Sequence, residues 1–286
     1  MTAAALALVL VAAFAHAGWN YILKRSGGGF GFVWLFAAIS AVLYAPVALS
    51  AFLLLRPVLG WQNVAAVVAS AGLHTLYYLL LDRGYRHGDL SLVYPIARAT
   101  GPLLTVVAAI LLLGEHPPPL AVGGALLISA GGLILTGDPR ALKRKGIQHA
   151  VLVALATGIT IAAYTVVDKT AVALLMTPPI LQDWMTNIGR VALMAPMLRT
   201  RRDAVRAAWR EHRRAAFAVA VLSPLSYILV LTAMQFTLVS YVAPAREVSI
   251  LIAAFLGARL LAEGDARRRG IAAVLMTAGV VALALG

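Results

Sequence analysis

The sequence predicts an all-α polytopic membrane protein, with ten transmembrane helices arranged as two inverted five-helix repeats around a central cavity. Three observations lead there. Of the 286 residues, 62% are hydrophobic and 12% are charged, whereas soluble domains are about 45–50% apolar and about 25% charged. The apolar residues fall into ten stretches, each near the roughly 20 residues a helix needs to cross a bilayer core. The chain also resembles itself at an offset close to half its length.

Taken in order, the expected spans cover roughly residues 3–23, 30–54, 62–82, 90–113, 118–136, 147–168, 178–198, 215–236, 239–261 and 268–285. The first has no basic residue before it and is followed by Lys24 and Arg25, so it reads as a retained span, not a cleaved signal peptide. Several connections are short, which makes sequence neighbours antiparallel hairpins. The loops after spans one, three, five, seven and nine hold 18 Lys and Arg residues, while the other side holds only Arg56 and Lys169. By the positive-inside rule the odd loops are cytoplasmic and both termini lie outside. The expected setting is a bacterial cytoplasmic (inner) membrane.

The net charge of +13 would suggest a nucleic-acid partner in a soluble protein. Here the basic residues sit in short runs between apolar stretches, which is the pattern of loops that orient a membrane protein. No nucleic acid is expected. With no cysteine in the chain, disulfides, thiolate catalysis and Cys-ligated zinc are excluded.

Aligned without a gap, Leu76–Pro95 and Leu225–Pro244 share Leu76/Leu225, Tyr78/Tyr227, Ser91/Ser240, Val93/Val242 and Pro95/Pro244. Further pairs are Arg98/Arg246, Glu115/Glu263, Gly131/Gly279, Trp19/Tyr164, Lys24/Lys169, Trp34/Trp184 and Pro46/Pro196. Apolar composition alone does not supply such a series of Trp, Tyr, Pro, Arg and Glu in order. The expected organisation is a first repeat at 1–137, a basic linker at 138–146 and a second repeat at 147–286. Because five is odd, the second unit enters the membrane from the opposite side. Inverted repeats of this kind are a transporter design, in which two halves rock around a site at their junction.

Ala17-Gly18-Trp19-Asn20, the run from Tyr94-Pro95 to Leu112-Leu113-Gly114-Glu115, and Gly123 with Ala130-Gly131-Gly132 together resemble the EamA repeat of the drug/metabolite transporter superfamily. The resemblance covers the chain twice, the second copy being degraded, with Leu261-Ala262-Glu263 standing for the Gly-Glu ending. It implies ten helices around a cavity and export of amino acids or related metabolites, aromatic amino-acid exporters being the nearest type. Many relatives keep their termini in the cytoplasm, whereas the loop charges here point the other way.

Polar side chains within spans are costly in hydrocarbon and turn toward a cavity or one another. Span three carries His74, Tyr78, Asp82 and Tyr85 along one helical face. The deeper His74 and Tyr78 either line a cavity or bond between helices, and the pairing of Tyr78 with Tyr227 favours the cavity. Span one offers His16, Trp19, Asn20 and Tyr21, answered in span six by Tyr164 and Thr165. Trp19 and Tyr164 either stack a substrate or belong to an interfacial belt. The resemblance implies that a proton-coupled exporter of lipophilic cations, like the small multidrug exporters of the superfamily, would carry an acid in span one, and this span one contains none.

Tyr94, Pro95 and Arg98 open span four, and Tyr241, Pro244, Arg246 and Glu247 hold the matching place in span nine. Pro95 and Pro244 are expected to bend their helices and free carbonyls. Glu247 is a partner available to Arg246. Arg98, with no acid in its own span, contacts a substrate carboxylate, snorkels, or pairs with a distant acid. Asp183, Asn187 and Arg190 share a face of span seven and read first as structural locks and second as substrate contacts. Glu115 and Glu263 read as structural markers of helix ends. Gly123, Gly124, Gly131 and Gly132 suit close helix packing or a dimer contact.

The candidate cavity set is therefore His16, Trp19, Asn20, His74, Tyr78, Tyr94, Arg98, Tyr164, Tyr227 and Arg246. No catalytic residues, metal ligands, cofactor or ATP-binding loop are found. The expected protein is a monomer or weak homodimer in the lipid bilayer that moves a small-molecule substrate. Carriage of phosphorylated or drug-like compounds, and scramblase or accessory-subunit roles, stand as alternatives.

Overall fold

The structure is a computed structural model that describes residues 1–87, 90–136, 148–253 and 266–286, with side chains throughout these except at 82–87, 90–95, 136 and 266. Every regular element among the described residues is helical. In chain order these are α1 (Ala3–Arg25), α2 (Gly29–Leu55), α3 (Trp61–His87), α4 (Leu90–Leu113), α5 (Pro119–Thr136), α6 (Gln148–Lys169), α7 (Pro179–Met194), α8 (Leu198–Phe236), α9 (Val239–Ala245) and α10 (Ala266–Leu285). The ninth span continues as helix over 248–253, after a turn at 246–247 that follows Pro244. Its remaining residues, with Glu263, lie outside the described residues.

Local chemistry explains the boundaries. Thr2 caps α1, its hydroxyl accepting from the Ala5 amide at 3.3 Å. The α1–α2 connection is Gly27-Gly28-Gly29 with φ of 71°, 59° and 85°, a left-handed run open only to glycine at low cost. α4 closes on Gly114, φ 64°, a left-handed glycine cap, while the Glu115 amide reaches back to the Ala109 carbonyl at 3.1 Å. α6 ends in a π-helical turn over Thr170–Leu174.

The helix of span eight starts earlier than expected. The basic stretch predicted as a loop is itself helical from Leu198, broken at Arg201 and His212, whose φ values near −128° and −129° leave the helical region. Its arginines lie on an amphipathic segment ahead of the span, and Ala208 packs with Phe32 and Phe36 of α2.

Helix packing follows a regular scheme. α1 and α2 pack on α8, α3 on α6 and α7, α4 on α6, α1 on α9, α2 on α7, and α5 on α10. Exchanging each helix for the one five places along turns this set into itself. α1–α8 becomes α6–α3, α2–α8 becomes α7–α3, α4–α6 becomes α9–α1, and α2–α7 and α5–α10 map onto themselves. Two tryptophans that the internal alignment pairs repeat the exchange at side-chain level: Trp34 of α2 donates to the Val191 carbonyl of α7 at 3.3 Å, and Trp184 of α7 donates to the Ala41 carbonyl of α2 at 2.8 Å.

The α5–α10 contact is closed by glycine. A Cβ at Gly124 would meet the Gly279 carbonyl oxygen at 2.7 Å, and one at Gly279 would meet the Gly124 oxygen at 2.6 Å. Gly131 likewise faces Met276, whereas Gly123 faces open space and Gly132 has only Ile250 nearby at 3.8 Å. The glycines singled out in the sequence thus divide, with Gly124 and Gly131 serving an intramolecular contact. On the outside, Leu54 and Leu111 are 81% and 75% exposed, a leucine surface suited to acyl chains. The amino group of Met1 lies 3.3 Å from the Leu283 carbonyl, so both ends sit at one face of the bundle, as an even number of crossings requires.

Candidate functional site

Between the two halves lies a cavity of about 100 Å³. Its wall includes His16, Trp19 and Asn20 from α1, His74, Tyr77 and Tyr78 from α3, Arg98 from α4 and Tyr164 from α6. α7 adds Asp183, Thr186, Asn187 and Arg190, α8 adds Ser223, Pro224, Ser226 and Tyr227, and Arg246 follows α9. Nine of the ten candidates named from sequence share this one wall. The side chains of the tenth, Tyr94, and of Pro95, Asp82 and Tyr85 lie outside the described residues.

An aromatic cluster forms one side. His74 stacks on Tyr164 with ring centroids 4.1 Å apart and planes 27° apart, and meets Tyr227 edge-on at 5.6 Å. Tyr77 approaches Tyr164 at 6.0 Å and Tyr78 at 5.2 Å. Trp19 lies edge-on to His16 at 4.8 Å. Tilted and edge-on pairs are the favoured aromatic geometries, and together they make an apolar surface that is polar at its tips. His74 is held by a contact of Nδ1 with the Ser70 carbonyl at 2.9 Å, and Asn20 is held by donation to the His16 carbonyl at 2.8 Å.

The charged groups are unevenly committed. Arg98 and Glu247 are both buried and pair at 3.0 Å, with Arg98 also donating to Ser249 at 3.4 Å. Of the readings open for Arg98, the structure shows the pair with a distant acid. Arg246, offered Glu247 as its partner from sequence, has no carboxylate within ion-pair distance among the described residues. Its guanidinium lies 6.0 Å from the Tyr227 ring, its Nε is buried without a hydrogen bond, and it stands beside the Tyr164 hydroxyl. Arg190 hydrogen-bonds the Asn187 carboxamide oxygen and lies 5.1 Å over the Tyr78 ring.

Asp168 is a residue the sequence reading passed over. Buried beneath the wall, it accepts from the Tyr227 hydroxyl at 2.5 Å and from Gln182 at 2.9 Å. It fixes the tyrosine that Arg246 and His74 both touch. Its signal was available: it is an acid within an apolar span, four residues beyond Tyr164. Asn187 combines the two roles left open for it, since it lines the cavity and also locks α7 to α2 by donating to the Ala37 carbonyl at 2.9 Å.

One end of the bundle is tied by two charges. The Glu115 carboxylate accepts from the Val239 and Ser240 amides at 2.7 and 2.9 Å, capping the N-terminus of α9. Lys169 donates to the Met234 and Thr237 carbonyls at 2.6 and 2.9 Å, capping the C-terminus of α8. Glu115 therefore caps a helix of the other half as well as ending its own.

Set against known proteins, this arrangement finds a family. Residues 148–285 match the EamA-like transporter family. The EamA-like half is the copy whose motif is the weaker in the sequence, and it supplies Tyr164, Arg190, Tyr227 and Arg246 to the cavity. Among curated proteins, none matches the chain. A solved crystal structure superposes on 100% of this chain and 98% of its own length, with a TM-score of 0.75 at 17% identity. At that identity the likeness shows the fold alone. With the apolar helices, the match makes the chain a multi-pass membrane protein whose EamA-like half carries the description of a transporter.

Proposed function

We propose that this protein is a secondary transporter that moves amino acids, aromatic and other apolar ones first, across the cytoplasmic membrane by alternating access. The observation that carries this reading is a cavity walled by both halves, in which stacked aromatic rings adjoin two arginines, Arg190 and Arg246, that have no carboxylate counter-ion among the described residues. An aromatic or aliphatic side chain suits the His74, Tyr77, Tyr164 and Tyr227 surface, and a substrate carboxylate suits Arg246. The repeats of the proposal are residues 1–137 and 147–286, joined by a basic linker at 138–146, with both termini outside. Net export follows from the resemblance to exporters. In this scheme the halves rock about the cavity, and Pro95 and Pro244 soften the moving helices.

A phosphorylated metabolite is the second reading, supported by three arginines on one wall. It is the weaker one, because Arg98 is already neutralised by Glu247 at 3.0 Å.

The test is uptake of radiolabelled amino acids and sugar phosphates into proteoliposomes, with Tyr78→Ala and Arg246→Gln alongside wild type. Saturable amino-acid uptake is expected, with KM raised at least about tenfold in Arg246→Gln, the scale of one lost charge-assisted hydrogen bond. Uptake of sugar phosphates with none of amino acids would reverse the order of the two readings.

A further inference from the structure

Four acidic side chains stand in or at the ends of the described membrane helices, and three are taken. Glu115 caps α9, Asp168 holds Tyr227 and Gln182, and Glu247 pairs with Arg98. The fourth, Asp183, lines the cavity from α7, is half-buried, and has neither a hydrogen bond nor an ion pair among the described residues. A carboxylate left to itself at membrane depth is expensive unless a cation meets it.

The surrounding charges say which cation. Among the described residues three arginines line the wall, and against them stand Asp183, Asp168 and Glu247, so the described shell is neutral. A purely anionic or purely cationic guest would leave charge uncompensated inside this shell. A guest with both signs would not. On α7 the two signs are set apart on one face, with Asp183 and Arg190 seven residues apart, which is about 10 Å of helix rise. Arg190 bends back to bond the Asn187 oxygen one turn nearer, as side chains that lean toward a helix N-terminus do. That leaves a gap of about one turn to Asp183, and Thr186 lines the cavity within it. The gap suits a small zwitterion contacted at both ends by charge-assisted hydrogen bonds of about 2.8 Å.

We infer that Asp183 is the specificity-determining residue that recognises the substrate's ammonium group, with Arg190 joining Arg246 at the carboxylate end. This deepens the amino-acid reading above and rests on it. The carrier then discriminates against acids that lack the amine, however well their side chains fit the aromatic wall.

The test compares wild type, Asp183→Asn and Asp183→Glu in proteoliposomes, using phenylalanine or whichever amino acid wild type transports, and its des-amino acid as competitor. Wild type is expected to prefer the amino acid by at least about tenfold. In Asp183→Asn that preference collapses, because KM for the amino acid rises while inhibition by the des-amino acid is unchanged. Asp183→Glu restores part of it, which a merely structural role would not give. An unchanged preference in Asp183→Asn overturns the assignment while leaving the amino-acid carrier standing. Unchanged KM with loss of stimulation by an imposed pH gradient also overturns it, since Asp183 would then take a proton. Wild type that carries no amino acid sinks both the substrate reading and this inference.

Discussion

Glu247→Gln is expected to lower the stability of the folded protein by about 3–5 kcal/mol, the cost of stranding one member of a buried ion pair. Arg98 is 7% exposed and Glu247 is 2% exposed, with 3.0 Å between them. Without the carboxylate, a buried guanidinium would remain between α4 and the ninth span without its ion-pair partner. Replacing both partners with apolar residues, as Arg98→Met with Glu247→Leu, is expected to recover most of the loss, because the desolvation cost of both ions disappears with their attraction. Thermal unfolding of the purified variants in detergent measures this. A single substitution as stable as wild type would mean the pair is solvated.

A comparable loss is expected for Gly279→Leu. The first added carbon already meets backbone oxygen of α5 at 2.6 Å and the Ile128 side chain at 2.6 Å. Backbone does not yield as a rotamer does, so α5 and α10 must separate. Overpacking of this kind costs about 1–3 kcal/mol in general and more where the neighbour is fixed. In a bilayer the separated faces meet lipid instead of water, and close van der Waals packing is the main attraction that is lost. Gly123→Leu, one residue before Gly124 and facing open space, is expected to stay within about 0.5 kcal/mol of wild type. Unfolding midpoints of the two variants, read side by side, separate packing from helix propensity.

Much of the fold was legible because hydrocarbon imposes one rule: a span must be apolar and helical. The apolar stretches agree with the described helices to within a few residues, except where the basic stretch before span eight turned out helical and at the end of span nine, which lies outside the described residues. That segment lies outside the apolar criterion, and its amphipathic helix was hidden by its arginines. The pairing of Trp34 with Trp184 in the internal alignment proved spatially meaningful, since each reaches a carbonyl on the other's helix.

The cavity was less legible, for reasons of geometry. Tyr77 and Tyr78 are adjacent, and sequence alone favoured Tyr78 through its match with Tyr227; both line the wall, because the cavity subtends more than the 100° between neighbouring positions of a helix. Glu247 was offered to Arg246 because it follows it directly. Consecutive residues do not face each other on a helix, and the acid turned instead to Arg98, in the other half of the chain. Such a pairing has no local trace. Asp183 was read as a lock because buried charges usually find partners, and only the packed structure shows that it has no hydrogen bond or ion pair among the described residues.

Transport as proposed requires the cavity between the halves to hold the carried molecule. The chain contains no cysteine, so a single introduced thiol reports alone. Ser223, on the cavity wall in α8, can be changed to cysteine with little change in volume. The measurement is the rate at which Ser223→Cys in proteoliposomes reacts with a small water-soluble maleimide, with and without a saturating transported amino acid. Labelling is expected to slow as the substrate concentration passes its KM. Labelling at the same rate with and without a substrate that is being carried would place the transport path elsewhere.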